Sequence, residues 1–111
     1  GLAAVLNEIA EQSGKGFLID EEKIPLRQDV AELCDTLGFD PLSVANEGAA
    51  VIICGADDCE KVLAVLKSVK EGERAAVIGE VTGDNKVILK TISGGKRHID
   101  LPPGELLPRI C

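Results

Sequence analysis

The 111-residue chain has no Trp, no Tyr, no Met and only two Phe. A core without large aromatics must be built from Ala, Val, Ile and Leu. Hydrophobic residues make up 45% of the chain, enough for one real core. The length suits one domain and is too short for two. Positive charge is also scarce. Twelve Lys and Arg stand against 19 Asp and Glu, a net charge of −7. That balance argues against nucleic acid as a partner, because phosphate binding needs a basic face. It suits a soluble protein that repels its own copies. No apolar run approaches the roughly 20 residues of a membrane helix. No signal peptide is present, so no membrane partner and a cytoplasmic location are expected. There is no Met at the start either. Gly1 leads at once into a helical pattern, as expected of a fragment of a larger protein.

Histidine is limited to His98, and the cysteines are Cys34, Cys54, Cys59 and Cys111. Two disulfides are disfavoured, because this is not a small, loop-rich secreted scaffold. Cys34 and Cys54 sit inside apolar patterns and are expected to be small buried hydrophobes. Cys54 and Cys59 flank Gly-Ala-Asp-Asp. With no second pair and one histidine, they make a weak metal signal, and no metal site is expected.

Leu2, Val5, Leu6 and Ile9 recur at helical spacing, and Ser13-Gly14 stops the pattern. Residues 16–19 are short and apolar and predict a strand. Val30, Leu33, Cys34 and Leu37 predict a second amphipathic helix closed by Gly38. Asp40-Pro41 marks a turn. The continuous apolar run 49–54 predicts a buried strand. Asp57 and Glu60 have the form of a capping box, ahead of a third helix carrying Val62, Leu63, Leu66 and Val69. Residues 75–82 and 86–92 predict strands joined as a hairpin through Gly83-Asp84-Asn85. Residues 98–101 could add a short strand. The expected class is α/β (α+β): a two-layer sandwich, a mixed sheet with helices on one face.

From Leu101 the sequence becomes Leu-Pro-Pro-Gly-Glu-Leu-Leu-Pro-Arg-Ile-Cys. Three prolines and a glycine exclude a helix and disfavour a strand. The expected organisation is therefore a body over 1–100 and a mobile extended tail over 101–111. Leu106, Leu107 and Ile110 give that tail apolar side chains to dock with. A cysteine in such a segment is accessible and can be reactive.

The ending Pro108-Arg109-Ile110-Cys111 resembles the C-terminal signature of the HypE family of hydrogenase-maturation proteins. Asp40-Pro41-Leu42, residues 44–48 (Val-Ala-Asn-Glu-Gly), residues 78–82 (Ile-Gly-Glu-Val-Thr) and Gly94-Gly95 resemble family segments in the right order. The terminal motif is specific to that family. The internal ones are shared with aminoimidazole ribonucleotide (AIR) synthetase and selenophosphate synthetase, which have the same type of C-terminal domain without the cysteine tail.

The resemblance implies an AIR synthase-related C-terminal domain fold and a defined reaction. A partner, HypF, places a carbamoyl group on the sulfur of Cys111. ATP then drives dehydration of the thiocarboxamide to a thiocyanate. The resulting cyanide passes to iron on the HypC–HypD complex, for the nickel–iron hydrogenase. Glu47 is implied as the base that deprotonates the thiocarboxamide. Asn46 would orient the amide. Pro108, Arg109 and Ile110 would be recognised by partners. ATP and Mg²⁺ would be held mainly by an N-terminal domain absent from this chain, so the fragment alone is expected to be inactive. The full-length protein would be a homodimer. Glu80 is either an inward carboxylate or a strand-edge charge. Lys96, Arg97 and His98 form the one basic cluster and could meet phosphate. Two alternatives stand beside this reading. One is the corresponding domain of another ATP-dependent enzyme of the AIR synthetase or selenophosphate synthetase type. The other is a non-catalytic interaction module.

Overall fold

The computed structural model describes residues 1–43 and 49–99. The first helix, α1, spans Leu2–Ser13 and is rich in Ala and Leu, the strongest helix formers. It stops where expected. Gly14 takes a left-handed φ of 71°, and its N–H closes on the Ala10 carbonyl. Strand β1 (Gly16–Asp20) follows, and then α2 (Gln28–Leu37), ended by Gly38 at φ 75°. Helix α3 covers Cys59–Lys67. The chain then makes β2 (Gly79–Thr82), β3 (Val87–Lys90) and β4 (Lys96–His98).

The four strands form one mixed sheet in the order β2-β1-β3-β4, so the fold is α+β as expected. Strand β1 pairs antiparallel with β2 and parallel with β3, and β4 returns antiparallel on β3. Register decides what is buried. Phe17 lies opposite Val87 and Ile19 opposite Leu89, all four on one face. That face receives α1, which buries Ala3, Leu6 and Ala10 at helical spacing. Leu42 and Ile99 complete the cluster. Every member except Phe17 is aliphatic, as the shortage of aromatics requires.

The hairpin expected between 75–82 and 86–92 does not form. Residues 83–85 do bend the chain back, with Asn85 at a left-handed φ of 58°. The strands on either side of that turn are β2 and β3, and β1 lies between them. A turn signal specifies a change of direction but cannot say whether a third strand will be inserted. The insertion demands a close approach at the start of β1, where Phe17 N–H donates to the Lys86 carbonyl. A Cβ on Gly16 would fall on that carbonyl oxygen and within 2.6 Å of the Lys86 nitrogen. Gly16→Ala should therefore destabilise the chain by about 1–3 kcal/mol. The readout is a lowered urea midpoint, and an unchanged midpoint would contradict this packing.

The run 49–54 is not a buried strand. It pairs with no strand among the described residues, and Val51, Ile52, Ile53 and Cys54 are exposed. An apolar run records a preference to leave water, not the element that covers it. The capping box is also absent. Ala56–Asp58 form a 3₁₀ turn, and α3 opens after Asp58 with no side-chain cap. Val69 falls beyond α3 and is exposed, whereas Val62, Leu63 and Leu66 are half-buried. The second helix buries Cys34, as expected, while Leu33 and Leu37 stay exposed. The strand predicted over 75–82 is confined to β2, and the one over 86–92 to β3. The short strand expected over 98–101 starts earlier, as β4, with Leu101 outside the described residues.

Candidate functional site

All six candidate site residues, Asn46, Glu47, Pro108, Arg109, Ile110 and Cys111, lie outside the described residues. What the structure supplies is the scaffold that leads into both segments. The first lead-in is the 39–43 turn. Leu42 N–H donates to Asp40 Oδ1 at 3.0 Å, and Ser43 N–H to the Asp40 carbonyl at 3.0 Å, so the predicted turn forms. Leu42 is buried in the core, and its carbonyl accepts from Ala3 N–H at 2.8 Å. That bond satisfies one of the free N–H groups at the start of α1. The second lead-in is the end of the sheet. Ile99 is 2% exposed, and its N–H donates to the Val87 carbonyl at 2.8 Å.

Both lead-ins converge on α1. The Asn7 side-chain amide donates to the Ala3 carbonyl and to the Ile99 carbonyl, each at 2.8 Å. Leu42 is thus tied to Ala3, and Ile99 to Asn7, one helical turn apart or roughly 6 Å along the axis. Arg97 adds a bond from β4 to the turn, at 3.4 Å from Asp40 Oδ2. Both partners are exposed, so this pair contributes little stability. Asn7 is the residue that reading of the sequence passed over. Its available signal was a polar amide, modest as a helix former, directly after Leu6 in the apolar stripe.

The other candidates can be placed. Glu80 is exposed on β2, an edge strand, which resolves it as a strand-edge charge. Lys96, Arg97 and His98 are exposed on β4, the opposite edge. Lys96, His98, Lys86 and Asp84 rim a shallow concavity of about 300 Å³ on the sheet, with Leu18 and Ile88 in its floor. The hydroxyl of Thr82, 2.8 Å from Asp84 Oδ1, holds the Asp84 carboxyl below the usual carboxylate range. Cys34 is buried and Cys59 half-buried, and both are free. Cys54 is free and exposed, against expectation, because the run that carries it is uncovered. Its thiol is pushed up by desolvation, then by the neighbouring Cys59 and by Asp58. Among the described residues no group of three or more His, Cys, Asp or Glu could hold a metal ion.

Comparison with known proteins places this scaffold. Over its whole length the chain is 47% identical to the carbamoyl dehydratase HypE of Rhizobium leguminosarum bv. viciae, covering 32% of that protein. A crystal structure of a HypE–HypF complex superposes on 92% of the chain with a TM-score of 0.88 and 42% identity, over 33% of the matched chain. A crystal structure of HypE in complex with ATP covers 100% of the chain, with a TM-score of 0.90 and 39% identity, over 35% of that chain. The chain spans about a third of the length of the curated relatives it matches. Residues 1–92 match the family described as AIR synthase related protein, C-terminal domain. The chain belongs to that family.

Proposed function

We propose that this chain is the cysteine-bearing part of a carbamoyl dehydratase that supplies cyanide for hydrogenase maturation. The observation that carries the reading is the whole-length similarity to a protein named carbamoyl dehydratase. The scaffold is compatible with it. Glu47 lies five residues beyond Leu42, and Cys111 twelve beyond Ile99. At roughly 3.4 Å per extended residue, the two segments reach at most about 17 Å from Leu42 and about 40 Å from Ile99, which bond to Ala3 and Asn7 of the same helix. A sulfur on the longer segment can therefore visit a partner and return to a carboxylate on the shorter one.

The chemistry balances on these residues. A partner of the HypF type, like the one in the matched complex, transfers a carbamoyl group to the Cys111 sulfur: the S–C bond forms as the thiol proton leaves and the C–O bond of the carbamoyl donor breaks. The amide oxygen then attacks the γ-phosphorus of ATP, releasing ADP, and the nitrogen gives up its first proton to water as the iminophosphate forms. Phosphate is a far better leaving group than oxide. Glu47 takes the remaining N–H proton as the C–O bond breaks and C≡N forms. The products are protein thiocyanate, ADP and phosphate. Asn46 orients the amide, and Pro108, Arg109 and Ile110 are recognised by the partner. ATP comes from the matched HypE–ATP structure by similarity. ATP and the accompanying Mg²⁺ are assigned mainly to the part of the protein beyond this chain, as the family resemblance implies. The HypC–HypD complex as cyanide acceptor, a homodimer of the full-length protein and a cytoplasmic location complete the proposal. No described helix is long and apolar enough to cross a membrane.

The test is intact-mass spectrometry on the full-length protein. Incubation with the HypF partner, its carbamoyl donor and ATP should add one carbamoyl group. Loss of one water from the modified chain should follow. No carbamoyl adduct, or an adduct that ATP never dehydrates, would contradict the reading.

A further inference from the structure

We infer that Asn7 is a positioning residue for the cysteine-bearing segment: it fixes, on α1, the point from which residues 100–111 depart. This rests on the carrier role proposed for Cys111. Asn7 is half-buried in the second turn of α1. A primary amide nitrogen has two hydrogens to donate, and both are used. One goes to the Ala3 carbonyl within the helix. The other crosses 92 residues of sequence to the Ile99 carbonyl. The Ile99 N–H is already committed to the Val87 carbonyl on β3. The Ile99 peptide groups are thus held from two sides, by the sheet through N–H and by α1 through C=O. Its buried side chain adds a third hold.

Few residue types can do this. Aspartate has the same shape but would set a charged acceptor against two carbonyl oxygens. Alanine leaves the Ile99 carbonyl without its donor. Glutamine keeps the donor on a longer stem. The Ala3 side of the same turn carries the other lead-in, through Ala3 N–H and the Leu42 carbonyl. One stretch of helix therefore sets the spacing between the roots of the two candidate segments. Moving one root matters most when the sulfur must return to its own base. It matters little when a mobile partner comes to collect or load it.

The experiment compares wild type, Asn7→Asp, Asn7→Ala and Asn7→Gln in the full-length protein. Two readouts are taken. Amide exchange of the peptide ending near Ile99 should quicken in the Asp and Ala variants, while β1 exchanges at the wild-type rate. Carbamoylation of Cys111 by the partner should stay within about 2-fold of wild type, whereas ATP-dependent dehydration should fall about 10–100-fold. Asn7→Gln should recover part of both. Unchanged exchange at Ile99, dehydration at the wild-type rate, or equal loss of both chemical steps would each overturn the inference. If wild type is carbamoylated but never dehydrates, the functional proposal fails instead, and exchange at Ile99 alone decides whether Asn7 is the anchor.

Discussion

Cys111→Ala in the full-length protein should abolish carbamoylation, while Glu47→Gln should leave it largely intact and stall the step after it. The asymmetry follows from the division of labour. Loading needs only an accessible sulfur and the partner's active site, and alanine removes the sulfur. Dehydration needs a proton taken from nitrogen while phosphate leaves. Glutamine keeps the shape and hydrogen bonding of glutamate but cannot take that proton. Losing a general base typically costs about 10²–10⁴-fold. In the Gln variant, thiocarboxamide should therefore accumulate in the presence of ATP, one water heavier than the thiocyanate. If Glu47→Gln dehydrates at the wild-type rate, the base is another group, and this chain keeps only the carrier role of Cys111.

The largest stability losses should come from the seam between α1 and the sheet. Leu6 and Leu89 are the two largest fully buried side chains, at 1% and 0% exposure. They belong to a buried cluster whose one aromatic member is Phe17. Truncating either to alanine removes buried methyl groups and leaves a cavity, a loss of about 2–5 kcal/mol. That is a large share of the stability of a domain of this size. Ile92→Ala, at a position 71% exposed, should change stability by no more than about 0.5 kcal/mol. Urea midpoints of the three variants check this. Equal effects at Leu89 and Ile92 would mean that the core lies elsewhere.

Local signals in the sequence translated well into structure. Gly14 and Gly38 end their helices in the left-handed conformation that favours glycine. The strand predicted over 16–19 forms as β1, one residue longer, and Cys34 is buried in α2. Pairing was not legible. Nothing in Gly83-Asp84-Asn85 reports that β1 separates β2 from β3, because that choice is made by contacts distant in sequence. The run 49–54 misled for a related reason. Its apolar character is real, but no described element covers it. The candidate residues came from a resemblance centred on Pro108-Arg109-Ile110-Cys111, and the family match over 1–92 supports the domain that carries them. The scaffold that roots both segments on α1 could not be read in advance. The Asn7 to Ile99 bond joins residues 92 positions apart, and a single amide within a helical stripe does not name its partner.

The site of carbamoylation can be read directly by mass spectrometry. The full-length protein is incubated with the HypF partner and its carbamoyl donor without ATP, then cleaved after Arg109 and sequenced by tandem mass spectrometry. One carbamoyl group should be found, on the sulfur of Cys111 in the fragment that begins at Ile110. Cys34, Cys54 and Cys59 should remain unmodified. A carbamoyl group on any of those three thiols, or none on Cys111, would contradict it.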